Sequence, residues 1–201
     1  MNYLAHIYLS ENDQLIALGN FMADEIKGRT YDIYNAKIKV GILLHRQIDS
    51  FTDHDETARI SKRRLNERYG HYSGIIIDIL YDHFLARNWH LYSKIPLEKF
   101  VSDFYRFLEE RYKILPNRIQ HLAPYMIKDN WLVNYANFEG IEKVLTGMNK
   151  RTKMRSHMDL AINDLKENYS ELENDFFIFF DKLKIFSHQT LIELKKKYKI
   201  L

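Results

Sequence analysis

Two histidines, two aspartates and an arginine lie close together in the segment Gly41–His54. In a helix, residues four positions apart stand one above the other, so His45 and Asp49 share a face, with Thr52 and Asp53 one turn further on. Burying an imidazole beside a carboxylate is unfavourable unless the two groups pair with each other or hold a ligand. Because a metal ion is the ligand that such a pair most often holds, the segment predicts one wall of a metal site.

Other ionisable side chains also fall on apolar helix faces in the first half of the chain: His6, Asp24, Asp78, Asp82 and His83. Asp78 and Asp82 are one turn apart, and two buried carboxylates repel each other unless a cation lies between them. Histidine and carboxylate ligands without sulfur suit a divalent ion such as Mn²⁺, Mg²⁺, Fe²⁺ or Zn²⁺, and helical bundles build such sites from inward side chains. An ion there would acidify a bound water and polarise a phosphoryl or carbonyl oxygen, which predicts a metal-dependent hydrolase.

The same residues also have structural explanations. A lone histidine on an apolar face is often a hydrogen-bonded core residue, and Asp53 could simply cap the next helix. Arg46 and Lys27 could neutralise the buried acids without any metal. In that case the chain would be a non-catalytic helical interaction module.

Composition narrows the class of protein. A chain of 201 residues suits one domain spanning residues 1–201, and seven glycines with three prolines favour long helices. The chain has no cysteine, which excludes disulfides, thiolate metal sites and cysteine nucleophiles and fits a cytoplasmic protein. No signal peptide and no bilayer-spanning apolar run is evident, and a net charge of +3 is too small to predict nucleic-acid binding. We therefore expect a cytoplasmic protein that binds neither nucleic acid nor membrane.

Basic residues are concentrated in two clusters, which include Arg63, Arg64 and Arg68 in the first and Arg151 and Arg155 in the second. They are either solvated helix faces or a surface that attracts an acidic partner.

Helical spacing dominates along the chain, and no strand periodicity is strong enough to build a sheet. Asn12 or Asp13 can cap a first helix, and Asp53 or Asp55 can start a third that ends at Gly70. The Phe-rich segment Glu171–Lys184 is ambiguous, but its length favours a helix. The expected fold is an all-α bundle of about eight helices. The other expected helical segments are 33 or 34 to 49, 72–92, 96 to before 116, 117–136 (with a kink at Pro124), 138–149, 154–169 and 188–200.

Four segments resemble the acyl carrier protein phosphodiesterase family, also called holo-ACP hydrolases. They are Met1–His6, Gly19–Gly28, Gly41–His54 and Asp78–Trp89. The resemblance is specific over residues 1–90 and continues more weakly to the C-terminus. It implies a divergent, HD-domain-like member of the HD phosphohydrolase superfamily that depends on a divalent metal, with Mn²⁺ favoured and Mg²⁺ or Fe²⁺ as alternatives.

The implied reaction is hydrolysis of the phosphodiester that joins 4'-phosphopantetheine to a serine of holo acyl carrier protein, giving the apo carrier and 4'-phosphopantetheine. The His-Asp doublet usual in that superfamily is not obvious, because Asp82-His83 has the reverse order and His54-Asp55 falls at a predicted helix boundary. The alternative enzyme is another HD-type phosphohydrolase that acts on a nucleotide or a small phosphodiester. The sequence leaves open the native metal, the number of ions, the carrier specificity and the oligomeric state.

The expected roles divide into three sets. The metal shell is expected to contain His6, Asp24, His45, Asp49 and Asp82. His83 is a further ligand or a general acid, and Arg46 and Lys27 hold the non-bridging phosphoryl oxygens. The two arginine clusters would meet the acidic surface expected of a carrier protein.

Overall fold

Helices form almost all of the regular structure in the computed structural model of the chain, which describes residues 1–200. This part of the chain contains no β-strand, which confirms the all-α prediction. None of its helices combines the length and the apolar character needed to cross a membrane. The α-helices are α1 (Tyr3–Tyr8), α2 (Gln14–Met22), α3 (Ala36–His54), α4 (Glu56–Tyr69), α5 (Ser73–Arg87), α6 (Leu97–Glu110), α7 (Asn117–Lys128), α8 (Trp131–Asn134), α9 (Phe138–Arg151), α10 (Ala161–Glu167) and α11 (Tyr169–Lys197).

Side-chain caps set several helix ends where the sequence predicts them. The Asp13 carboxylate accepts hydrogen bonds from the first backbone amides of α2, and Asp55 does the same for α4. Helix α4 ends at Gly70, whose φ of +52° is a conformation that residues with a Cβ rarely adopt. These caps confirm the predicted starts of two helices and the end of one.

Three segments differ from the expected helices. The helix expected at 154–169 begins only at Ala161, as α10, and Met154 and His157 take left-handed φ values of +62° and +52°. The two helices expected at 171–184 and 188–200 form one helix of 29 residues, α11. No glycine or proline interrupts the sequence between them, and Phe186 stacks on Phe51 at a ring distance of 4.6 Å, so the helix continues. The helix expected at 117–136 instead breaks at Asn130, which takes a left-handed φ of +46° and separates α7 from α8, while Pro124 lies inside α7.

Helices α2 and α3 cross in direct backbone contact because each has a glycine at the crossing. A Cβ on Gly19 would lie 2.1 Å from the carbonyl oxygen of Ile38, and one on Gly41 would lie 2.0 Å from that of Ile16. No larger residue fits at either position without moving the backbone. This close crossing brings Asn20 of α2 next to His45 of α3.

Helix α1 is fixed by acidic residues of α5. The buried Asp82 carboxylate accepts hydrogen bonds from the backbone amides of Leu4 (2.7 Å) and Ala5 (3.2 Å), which lie in the first turn of α1 and have no partner within it. Asp78 accepts one from the amino group of Met1 at 2.9 Å. Burial raises the pKa of Asp82 to about 7, although the positive charge of the Met1 amino group and the two backbone amides partly oppose this shift. The cation expected beside these two carboxylates is thus the Met1 amino group.

Helix α3 lies between α2 and α11. The Phe-rich segment forms part of α11 and buries Phe176, Phe179 and Phe180 completely, which confirms that it is helical. Phe51 of α3 packs against Phe179 and Phe186 of α11. Because both sides of α3 are packed, its polar residues are held in a defined orientation.

Candidate metal centre

His6, His45 and Asp49 form a compact cluster in which one ligand atom from each lies within 4.8 Å of the others. Helix α1 supplies His6, and α3 supplies the other two residues. The Nε2 atom of His6 is 3.3 Å from one Asp49 oxygen, and the Nε2 atom of His45 is 3.0 Å from the other. Both imidazoles therefore direct Nε2 toward the same carboxylate.

The cluster is closed on one side and open on the other. The imidazoles of His6 and His45 are buried and stack with a ring distance of 4.0 Å. The Asp49 side chain is 42 % exposed, and that of Asp24 is 68 % exposed. A small molecule can therefore approach from the carboxylate side.

Asn20 orients both imidazoles through their Nδ1 atoms. Its side-chain Oδ1 accepts from His6, and its backbone oxygen accepts from His45, both at 2.8 Å. Since a carbonyl oxygen can only accept a hydrogen bond, each Nδ1 carries a proton, and each Nε2 is the ring nitrogen that faces Asp49. Nε2 of His6 also lies 3.2 Å from the carbonyl oxygen of Met1. The Asn20 amide in turn donates to the His6 carbonyl oxygen (2.7 Å) and to Ser10 Oγ (3.1 Å).

Asp24 completes the cluster at its exposed side. It lies in a 3-10 turn after α2, and its Oδ1 is 3.1 Å from Nε2 of His45. Burial by itself would lower the pKa of His45, but hydrogen bonds to Asp24 and Asp49 outweigh burial and raise that pKa to about 9. Burial and the neighbouring His45 lower the pKa of His6. Burial opposes ionisation of Asp49, but hydrogen bonds from the two histidines hold its pKa well below the usual range.

This donor set fits a divalent cation. Two imidazole nitrogens and the carboxylate of Asp49 converge from two helices, with the Asp24 carboxylate beside them. In the absence of an ion, a protonated His45 offsets part of the negative charge of the two carboxylates. A divalent ion can take the place of that proton while keeping the same oxygen and nitrogen partners.

Asp82 and His83 are not part of this cluster. The Asp82 carboxylate is occupied by the amides of α1, as described above. His83 donates from Nδ1 to the carbonyl oxygen of Tyr135 (2.7 Å), its Nε2 lies 3.3 Å from the Tyr169 hydroxyl, and it lines a separate cavity of about 710 Å³. We therefore correct the expected metal shell by leaving out Asp82, and we assign His83 no role in it.

Arg46 holds the chain that follows Asp24. Its Nη2 donates to the carbonyl oxygen of Ile26 at 2.7 Å, and its guanidinium lies over the Tyr31 ring at 5.2 Å. Over residues 1–200 it forms no ion pair with a buried acid, so the structural alternative in which Arg46 neutralises the buried acids is not observed. Lys27 is exposed.

The two arginine clusters differ in how far their charge is already paired. In the first cluster, each arginine contacts an acid of this chain: Arg63 contacts Glu56 at 2.6 Å, Arg64 contacts Asp175 at 3.3 Å, and Arg68 contacts Asp164 at 3.0 Å. In the second cluster, Arg151 reaches only the Met148 sulfur at 3.4 Å, and Arg155 is exposed. The role of both clusters in partner binding stays a prediction.

The site residue absent from the sequence prediction is Asn20. One signal was available, since Asn20 is a polar residue on an apolar helix that directly follows a glycine. Its contacts with the two histidines depend on the α2–α3 crossing, which spacing along the chain does not reveal.

The fold and the cluster together define an all-α protein with a candidate divalent-metal centre of the kind that hydrolases use. Comparison with known proteins identifies the particular family. The family model described as acyl carrier protein phosphodiesterase matches residues 1–183, and the chain belongs to that family.

Curated relatives agree with this assignment. The chain is 32 % identical over 184 residues to the acyl carrier protein phosphodiesterase of Serratia proteamaculans, covering 91 % of this chain and 95 % of the relative. The corresponding proteins of Pectobacterium atrosepticum and Yersinia enterocolitica are each 31 % identical, covering 91 % and 90 % of this chain and 95 % and 94 % of the relatives. Family membership makes the chain a phosphodiester hydrolase. No solved structure gives a significant match, so the likeness to HD domains stays a prediction.

Proposed function

We propose that the chain hydrolyses the phosphodiester between 4'-phosphopantetheine and serine in holo acyl carrier protein, with a divalent ion held by His6, His45 and Asp49. The observation that carries this proposal is the cluster itself, in which three ligand atoms converge within 4.8 Å at an open surface. Family membership supplies the substrate class. Cytoplasmic location stays a prediction.

The residues of the cluster have distinct tasks in this proposal. A bound divalent ion supplies an acidified water and neutralises charge on the phosphoryl oxygens. His6 and His45 offer Nε2, Asp49 offers its carboxylate, and Asp24 is a further ligand on the exposed side. Nitrogen and oxygen donors without sulfur support Mn²⁺, with Mg²⁺ and Fe²⁺ as alternatives.

Two cations flank the cluster in different ways. The exposed Lys27 lies three residues after Asp24, and we propose that it meets a non-bridging phosphoryl oxygen. Arg46 already donates to Ile26, so its proposed task is to hold the loop that positions Lys27.

The direct test is to incubate the purified protein with holo carrier protein and Mn²⁺ and to follow the carrier by mass spectrometry. We expect the carrier to lose the phosphopantetheine group and free 4'-phosphopantetheine to accumulate. A carrier of unchanged mass, with turnover of a dinucleotide or cyclic nucleotide, would instead establish the alternative phosphohydrolase.

Asn20→Ala is expected to weaken Mn²⁺ binding by about 10- to 100-fold, the usual effect of removing an outer hydrogen-bond partner of a metal ligand. The physical reason is that the His6 ring loses the acceptor that fixes its orientation and its Nδ1 proton. Titration calorimetry with Mn²⁺ measures this change without any substrate.

The matched control is Asn149→Ala. Asn149 is equally buried, but it holds Ser156 and the backbone amide of His157, far along the chain from the metal ligands. This variant should lose stability and keep its Mn²⁺ affinity. Equal loss of affinity in both variants would contradict the positioning role of Asn20.

A further inference from the structure

The chemistry of the proposed substrate restricts where the carrier protein can bind. The scissile phosphodiester joins the prosthetic group directly to a serine side chain of the carrier. The surface of the carrier around that serine must therefore come up to the metal cluster itself. This inference rests on the proposed function and concerns the part of the surface that receives the carrier.

The exposed side of the cluster leads directly into one segment of the chain. Asp24 lies on that side, and the chain continues from it into Ile26–Lys39, which we call the docking segment. Arg46 anchors the segment at Ile26 and Tyr31, and Lys39 pairs with Asp32 at 2.8 Å. Residues 26–35 are therefore held against α3, and residues 36–39 form the first turn of α3, which also carries two of the metal-binding residues.

The docking segment combines positive charge with one prominent apolar side chain. Its four cations are Lys27, Arg29, Lys37 and Lys39, and its one acid is Asp32. The docking segment therefore carries a net charge of +3, the same as the whole chain. Three of these cations already contact acids of this chain: Lys37 contacts Asp13 at 2.8 Å, and Lys39 and Arg29 lie 2.8 Å and 3.7 Å from Asp32.

Ile33 lies among these charges and is 81 % exposed, the largest fraction for a large apolar side chain within residues 1–200. An exposed apolar residue in a segment of net positive charge is suited to a partner that presents carboxylates around an apolar patch.

The other two basic clusters fit this requirement less well. The arginines of α4 contact acids that include Asp164 of α10 and Asp175 of α11. Three cations of the docking segment are paired as well, so the two surfaces differ in their position relative to Asp24 and not in their charge pairing. The second cluster lies at and beyond the end of α9, which packs mainly against the 3-10 turn Met158–Leu160 and against α5, α8 and α10. Neither cluster continues directly from a residue of the metal cluster.

We propose that the docking segment is the surface that binds the acidic carrier protein. Ile33 contacts apolar side chains of the carrier, while Lys27 and Arg29 pair with its carboxylates. The carrier serine is thereby brought beside Asp24 and Asp49.

The test compares Ile33→Asp and Arg29→Glu with the control Arg63→Glu, which reverses the charge of another exposed arginine, on α4. All three side chains are exposed, so the variants should keep the Tm of the original protein. We expect the KM for holo carrier protein to rise about tenfold in the first two variants and to stay unchanged in the control. Hydrolysis of bis(p-nitrophenyl) phosphate, which has no carrier, should be unchanged in all three.

Binding of apo carrier protein, measured by titration at low and high salt, separates this inference from the proposed function. Binding that weakens with salt and is lost in Ile33→Asp but kept in Arg63→Glu supports docking on this segment. Equal binding by all variants, or loss only in Arg63→Glu, overturns it. Ile33-dependent binding without release of phosphopantetheine would support the docking surface and contradict the proposed reaction.

Discussion

Asp49→Asn should lower the rate of phosphopantetheine release by at least about a thousandfold, since a catalytic metal supplies several kcal/mol of transition-state stabilisation. Asp49 is the residue that both His6 and His45 face, with Nε2–oxygen distances of 3.3 Å and 3.0 Å. Asparagine keeps the shape of the side chain but removes its negative charge and one of its two acceptor oxygens. The measurements are kcat with holo carrier at saturating Mn²⁺ and the Mn²⁺ content of the purified variant.

Asp53→Asn is the matched control because it makes the same change one turn later on the same helix. Asp53 is exposed and pairs with Lys62 at 2.9 Å, outside the metal cluster. This control should retain both Mn²⁺ and activity. Near-normal turnover in Asp49→Asn, with an unchanged Mn²⁺ content, would remove Asp49 from the metal site.

Removal of the divalent ion with a chelator should abolish hydrolysis, and Mn²⁺ should restore it. The same addition should raise Tm, because an ion that binds only the folded state stabilises it by about 2.7 kcal/mol at a concentration of 100 Kd. For a chain of this size, that free energy corresponds to roughly 5–10 °C. Differential scanning calorimetry of the chelated protein, with and without Mn²⁺, measures the shift.

The shift in Tm also separates the metal centre from non-specific ion binding. In Asp49→Asn the shift should largely disappear, whereas in Asp53→Asn it should be kept. If Mn²⁺ neither raises the Tm of the original protein nor affects its activity, the cluster is a structural network of hydrogen bonds and not a metal centre.

Local sequence was sufficient for much of the helical framework. Asp13 and Asp55 are short acidic side chains directly before amphipathic segments. Both cap helices, because the backbone amides that they accept hydrogen bonds from lie within three residues of them. The length of α11 was not predictable in the same way. Phe186 stabilises the middle of that helix by packing on Phe51, which is 135 positions earlier in the chain.

Part of the candidate site also followed from local spacing. Residues four positions apart share a face of a helix, so His45 and Asp49 were expected to pair, and the structure places Nε2 of His45 3.0 Å from an Asp49 carboxylate oxygen. Asp82 and His83 lie on α5, which is buried on almost every face. Its hydrophobic periodicity therefore does not indicate which neighbouring helix each face contacts. The structure places Asp82 under the amides of α1 and His83 at a separate cavity.

The sequence by itself determined the all-α class, the family, and the pairing of His45 with Asp49, because these depend on composition, on motifs and on contacts within one helix. Only the tertiary structure decided that His6 joins that pair, that Asn20 orients both imidazoles, and that Asp82 fixes α1. Each of these contacts depends on how α1, α2, α3 and α5 cross. That crossing depends on glycine contacts and buried hydrogen bonds between segments distant in the chain, and periodicity along a single helix does not report them.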